Sequence, residues 1–177
     1  MRTMGIKSFG LTIALSIAVA SAAPAAEPVS ALKGHDADQP VDVAADRIEV
    51  QDRADRAIFA GNVHVTQGEL TLDTERLTVA YSSAGGIQIR RLDAAGGVVV
   101  KSPSETARGN FGVYDLDRKL ITLLGDVRLD RGQSRVMGSR LVIDLSSGRA
   151  VIDGGAAGIG QSGGRVTGRF TVPQRGS

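Results

Sequence analysis

From Val41 onward, apolar and polar residues alternate in short runs with a period of two. Val41-Asp42-Val43, Ile48-Glu49-Val50, Val63-His64-Val65, Leu70-Thr71-Leu72 and Leu77-Thr78-Val79-Ala80-Tyr81 follow this pattern. So do Ile87-Gln88-Ile89, Val127-Arg128-Leu129 and Leu141-Val142-Ile143-Asp144-Leu145. Successive side chains of a strand point to opposite faces, so each run predicts a strand with one apolar and one polar face. Turn signals at 82–86, 93–97, 130–132 and 146–148, where Ser, Asp and Gly gather, separate the runs. No segment keeps a 3.6-residue period over two turns, so the chain is predicted to be all-β. A last strand is expected over 165–172, stopped by Pro173.

The pattern also repeats. Gly61-Asn62-Val63-His64-Val65-Thr66-Gln67-Gly68 matches Gly125-Asp126-Val127-Arg128-Leu129-Asp130-Arg131-Gly132 at an offset of 64, and the match runs on to Tyr81 and Leu145. Gly97-Val98-Val99-Val100 is a weaker copy between them. Self-similar strand units suggest stacking along one axis. A glycine inside a strand permits a bend or a close backbone approach. A sheet that folds over at each Gly-x-Val step makes a V-shaped, open β-sandwich whose apolar faces look at one another.

On this reading the inner face carries Val41, Ile48, Val50, Ile58, Val63, Val65, Leu72, Val79, Val98, Val100, Phe111, Val113, Leu116, Leu120, Val127, Leu141 and Ile143. Such a face is either an ordinary sandwich core or a groove left partly unfilled. The second reading suits a lipid carrier. Burial contributes about 0.8 kcal/mol per methylene, so an acyl chain of about a dozen carbons gains roughly 8–10 kcal/mol before its immobilisation is counted. The end strands of an open sheet invite strand addition, and Val41, Val43, Val166, Phe170 and Val172 mark those edges. Complementary ends would stack copies head to tail.

Composition narrows the chemistry. Arg2 and Lys7 precede the apolar run Phe9–Ala20, and small residues follow it, so residues 1–25 read as a signal peptide. That run of about 12 residues is shorter than the roughly 20 a spanning helix needs; the alternative is an uncleaved anchor. Removing Arg2 and Lys7 from the 21 basic residues leaves nineteen, matching the 19 acidic ones. A formally neutral surface argues against nucleic acid as a partner. Residues 26–39 read as a flexible lead-in, 40–173 as one domain and 174–177 as a frayed tail. The chain has no cysteine, which excludes disulfides and thiol chemistry. His35 and His64 are isolated, no metal-ligand spacing or Gly-x-Ser-x-Gly elbow occurs, and no cofactor is expected. Asp46, Asp52, Asp55, Asp115 and Asp117 interleave with arginines as a solvated surface does.

Asp38-Gln39-Pro40-Val41, Ala45-Asp46-Arg47-Ile48 and Phe59-Ala60-Gly61-Asn62-Val63-His64-Val65-Thr66-Gln67-Gly68 resemble the OstA-like, LptA-type domain family. Tyr114-Asp115-Leu116, Leu124-Gly125-Asp126-Val127, Arg165-Val166-Thr167 and Val172-Pro173 resemble that family's second half. The resemblance covers about residues 38–173. It implies a β-jellyroll of about sixteen short antiparallel strands that binds the lipid A part of lipopolysaccharide between two sheets, in the periplasm and without catalysis. It also implies an LptC-like inner-membrane protein and an LptD-like outer-membrane translocon as partners. Carried over by position, Val41, Ile48, Val98, Phe111 and Leu116 would lie in the groove or at its mouth. The segment 84–100 departs from the family in being rich in Gly and Ala. Two alternatives remain: a structural β-repeat that forms head-to-tail filaments, and an anchored, LptC-like member of the family. A periplasmic enzyme is a third class, with few groups to serve it.

Overall fold

The structure, a computed structural model, describes residues 35–155 and 164–171. The expected signal peptide, the lead-in before His35, Val172 and the tail lie outside the described residues. Ten strands form one antiparallel sheet: β1 (Asp42–Ala44), β2 (Arg47–Gln51), β3 (Arg56–Gln67), β4 (Leu70–Ser82), β5 (Gln88–Lys101), β6 (Glu105–Asp115), β7 (Leu120–Arg131), β8 (Ser134–Asp144), β9 (Arg149–Asp153) and β10 (Thr167–Arg169). The described residues hold no α-helix, only a 3-10 turn at Asp52–Ala54. Among them no helix is long and apolar enough to cross a membrane.

Strands β3 to β8 run in sequence order as hairpin neighbours, and each is bent once in its middle. The bend comes from an extra residue. Between Ala60 and Val63, β3 advances three positions while its partner β4 advances two, from Arg76 to Thr74. The same register shift recurs in β5 between Ala95 and Val98, and in β7 between Leu124 and Val127. Each bulge holds two successive residues in the left-handed region: Gly61-Asn62, Gly96-Gly97 and Gly125-Asp126. The first must be glycine for two reasons. At Gly96 φ is +90°, and an added Cβ would lie 2.7 Å from Glu75 Cβ on the next strand. At Gly125 φ is +76°, and the Cβ would meet Asn110 Nδ2 at 2.9 Å. Buried Thr74 steadies the middle bend by donating its hydroxyl to Ala95 O at 2.9 Å.

The bends fold the sheet onto itself. The first layer comprises β2, β9 and arms 56–60, 76–80, 88–95, 111–115, 120–124 and 140–144. The second comprises β1, β10 and arms 63–67, 70–74, 98–101, 105–109, 127–131 and 134–138. Counting both arms of the six bent strands and the four short strands gives sixteen segments among the described residues. The largest fully buried side chains of the first layer are Leu77, Leu92, Leu123, Leu141 and Ile143; those of the second are Val63, Val98, Val100 and Val127. The two inner faces join in one core.

Two expectations change. Residues 93–97, expected as a turn, lie inside β5, because Gly96-Gly97 bends the strand without ending it. The last strand covers only Thr167–Arg169, where it pairs with Arg135–Met137 of β8.

Candidate functional site

The tips of the second layer at Gln67–Leu70 meet the first layer near Tyr114, and an apolar cleft lies between them. Val41, Val65, Gln67, Leu70, Thr71, Leu72 and Val100 line it from the second layer's side, and Leu92, Gly112, Val113, Tyr114, Ile121 and Leu123 from the first layer's. The enclosed space is about 20 Å³. A single water molecule needs roughly 10–15 Å³ on this measure, so the closed cleft holds about one water and no acyl chain.

One polar pair sits in this apolar lining. The Tyr114 hydroxyl, on the first layer, donates to Gln67 Oε1, on the second, at 2.9 Å. Both residues are buried, at 5% and 3% exposure. Burial pushes the Tyr114 phenol up to about 12, against the opposing effect of its hydrogen bond to Gln67, so it stays a neutral donor at physiological pH. Gln67 Nε2 donates to Ala37 O and to Gln39 O, both at 2.9 Å, and His35 Nε2 lies 3.1 Å from Gln67 Oε1. The stretch expected to be a flexible lead-in is therefore pinned over His35–Gln39. Lys119, in the turn between β6 and β7, reaches the same stretch by an ion pair to Asp38 at 3.1 Å.

Several expected groove residues share the inner faces. Val63, Val65, Leu72, Val79, Val98, Val100, Val127, Leu141 and Ile143 are buried there, and Val41, Val43 and Leu116 pack against the core. Ile58, Phe111, Val113 and Leu120 are placed differently. Phe111 pairs with Ala95 and Leu124, Val113 with Asp93 and Thr122, Leu120 with Asp115 and Asp144, and Ile58 with Glu49 and Thr78. That register puts them on the outer face, and Phe111 is 56% exposed. For Phe111 and Val113 the physical reason is the bulge. An extra residue on β3, β5 and β7 changes which parity faces inward on the partner strands, so Gly112 and Tyr114 face in where Phe111 and Val113 were expected. Ile58 and Leu120 lie on the bulged strands β3 and β7, where apolar residues occupy both parities and register alone sets the inward one.

Ile48 and Val50 lie opposite Phe59 and Ala57, on the inner side of edge strand β2, and are more than half exposed. At the other end Phe170 lies beside Leu129 and Val136 over a hollow of about 290 Å³, and Val166 is also exposed. The apolar lining thus runs past the closed cleft toward both ends of the sheet. Edges β1 and β2 are each bonded on one side only, to β3, and β9 and β10 only to β8.

The polar residues form surface pairs. His64 and Asp73 lie 2.6 Å apart, with Lys101 at 2.9 Å from the other Asp73 oxygen. Asp130 takes ion pairs from Arg108, Arg128 and Arg135. Among the described residues no group of His, Cys, Asp or Glu could hold a metal.

A family model for the LptA/(LptD N-terminal domain) LPS transport protein matches residues 42–149. An uncharacterized protein of Rhizobium meliloti (strain 1021) is 32% identical over 160 residues, covering 82% of this chain and 86% of its own length. The lipopolysaccharide export system protein LptH of Pseudomonas aeruginosa is 35% identical over 81 residues, covering 46% of this chain and 41% of its own. The crystal structure of LptH, described as the LptA-homologous periplasmic component of the lipopolysaccharide transport device of Pseudomonas aeruginosa, superposes with a TM-score of 0.66. That superposition covers 78% of this chain and 99% of the other at 18% identity, a likeness of fold.

Proposed function

Because the chain belongs to the LptA/(LptD N-terminal domain) family of lipopolysaccharide transport proteins, we propose that it carries lipopolysaccharide across the periplasm by sheltering the acyl chains of lipid A between its two layers. The observation that carries this reading is the cleft lining. Apart from Gln67, Thr71 and Tyr114 it is made of aliphatic residues and glycine, from both layers at once. Parting the layers exposes these aliphatic side chains, and a tail of about a dozen carbons covers them again, with roughly 8–10 kcal/mol available from burial of the tail itself. Carriage of this kind asks for no catalytic group and no cofactor.

The exposed inner-side residues at both ends support a path that continues into neighbours. Ile48 and Val50 mark one end, and Phe170 with Val166 the other. An LptC-like inner-membrane protein and an LptD-like outer-membrane translocon would add strands at these edges, and further copies of this chain would stack head to tail by the same contacts.

Photo-crosslinking tests the reading. A photoreactive residue placed at Val65, Leu72, Val100 or Ile121, inside the cleft, should label bound lipopolysaccharide in cells. One placed at Phe111, on the outer face, should not. Protein purified without lipid A, unable to take it up, with equal labelling from both sets, would refute carriage in this cleft.

A further inference from the structure

The cleft is closed by a specific set of contacts as well as by packing. Residues 35–41 cross its mouth and are fastened to both layers. On the second layer, both N–H groups of the Gln67 amide bond strap carbonyls, those of Ala37 and Gln39. On the first layer, Lys119 holds Asp38. Ala37 and Val41 pack down on the core beneath. A hydrogen bond from Gln39 Nε2 to Asp36 Oδ2 at 2.9 Å closes the strap on itself. The Tyr114 hydroxyl completes the set by bonding Gln67 across the two layers.

We propose that residues 35–41 form a strap that latches the cleft mouth through Gln67, and that its release precedes entry of an acyl chain. A buried amide is tolerated only when its hydrogen bonds are made. Gln67 therefore favours one discrete closed state, because leaving the strap costs its two donors their partners at once. The carbonyls the strap presents are also the chemical class that joins fatty acids to a sugar, as esters and amides. An incoming acylated sugar can thus replace the strap at Gln67, carbonyl for carbonyl, as its tails replace Ala37 and Val41. The inference rests on the carrier reading above and adds a gate to it.

The chain has no cysteine, so introduced thiols are unique. Spin labels at Glu69→Cys and Arg118→Cys, on exposed turns either side of the mouth, read opening without any lipid. Tyr114→Phe, and separately Lys119→Ala, should shift the distance distribution toward longer separations, with roughly a fivefold gain in the open population for the loss of one hydrogen bond. Unchanged distributions in both variants overturn the latch. In a second experiment, Asp38→Cys and Lys119→Cys are joined by a short bis-methanethiosulfonate reagent in the full chain. Uptake of fluorescently labelled lipopolysaccharide should fall by about tenfold or more and recover on reduction, a change of ~1.4 kcal/mol or more in the opening equilibrium. Equal uptake by locked and reduced protein overturns the latch while carriage stands. No uptake by any form, the unaltered chain included, overturns carriage, and the spin-label distances then decide the latch by themselves.

Discussion

The middle bend permits a controlled perturbation, because two adjacent glycines both have positive φ and differ in their surroundings. Gly96 has φ +90° and Gly97 φ +80°. Alanine at either position enters the left-handed region at a cost of about 1–2 kcal/mol, and about 0.4–1 kcal/mol returns because the unfolded chain is less free. At Gly97 nothing lies within 4 Å of the added Cβ. Gly97→Ala should therefore cost about 1 kcal/mol net. At Gly96 the new atom would sit 2.7 Å from Glu75 Cβ and 3.8 Å from Glu75 Cα. The clash is with the root of the Glu75 side chain, which a rotamer change cannot move, so strand β4 must shift. Overpacking of this kind adds about 1–3 kcal/mol, so Gly96→Ala should cost about 2–4 kcal/mol. With no tryptophan in the chain, thermal unfolding is best followed by far-ultraviolet circular dichroism. At about 3 °C per kcal/mol for a domain of this size, Gly97→Ala should lower Tm by ~3 °C and Gly96→Ala by ~6–12 °C. Equal shifts, or a larger one at Gly97, would refute the close approach of β4 and β5 at the bend.

Further tests address other parts of the molecule. Leu123→Ala, at a fully buried site where the layers meet, should cost about 2–5 kcal/mol by urea denaturation, while Leu124→Ala, on the outer face, should cost much less. Asp130→Asn leaves Arg108 directly opposite Arg128 and near Arg135 with no shared carboxylate; the loss should be about 1 kcal/mol at low ionic strength and smaller in salt. Acid should destabilise the fold in a defined window. The hydrogen bond from His64, then Lys101, outweighs partial burial and holds the Asp73 carboxyl below its usual range. At Asp130 burial pushes the carboxyl up, but hydrogen bonds from Arg135 and Arg128 outweigh it and leave it low. A lowered folded pKa means the unfolded state takes the proton first. This stability is whole above the unfolded value near about 3.9 and drains as pH falls through the folded values. Urea midpoints should be flat from about pH 5 upward and drop below about pH 4, less steeply in Asp73→Asn. Ile48→Lys should leave stability within about 0.5 kcal/mol, since Ile48 is 55% exposed, yet weaken head-to-tail association measured by sedimentation; unchanged association would remove that edge from the interface.

The reach of the sequence can be judged at particular residues. Val63, Val65, Leu77 and Val79 alternate cleanly with polar neighbours, and their burial was legible because a strand's two faces are set by a local period of two. The Gly-x-Val repeats marked the bends at Gly61 and Gly125 for a similarly local reason, the need for positive φ, whereas the middle bend at Gly96 was expected as a turn between two strands. The run Leu120-Ile121-Thr122-Leu123-Leu124 is apolar on both parities, so no local rule could choose Ile121 and Leu123 over Leu120 and Leu124. Tyr114 was quoted only within the family motif, and Gln67 was passed over as a site although a signal existed: it is a polar residue at the inward parity of Val63 and Val65, just before a glycine turn.

By itself the sequence determined that the chain is built of strands, where the first and last of the bulged strands bend, and which family it resembles, because alternation, glycine conformation and motif are properties of neighbouring residues. Only the tertiary structure decided which face each arm presents, how tightly the two layers close, and that residues 35–41 lie across the opening. Those outcomes depend on register between strands distant in sequence, where one inserted residue at a bulge reverses a partner's faces, and on a hydrogen bond between Gln67 and Tyr114, 47 positions apart, that exists only once the sheet has folded over.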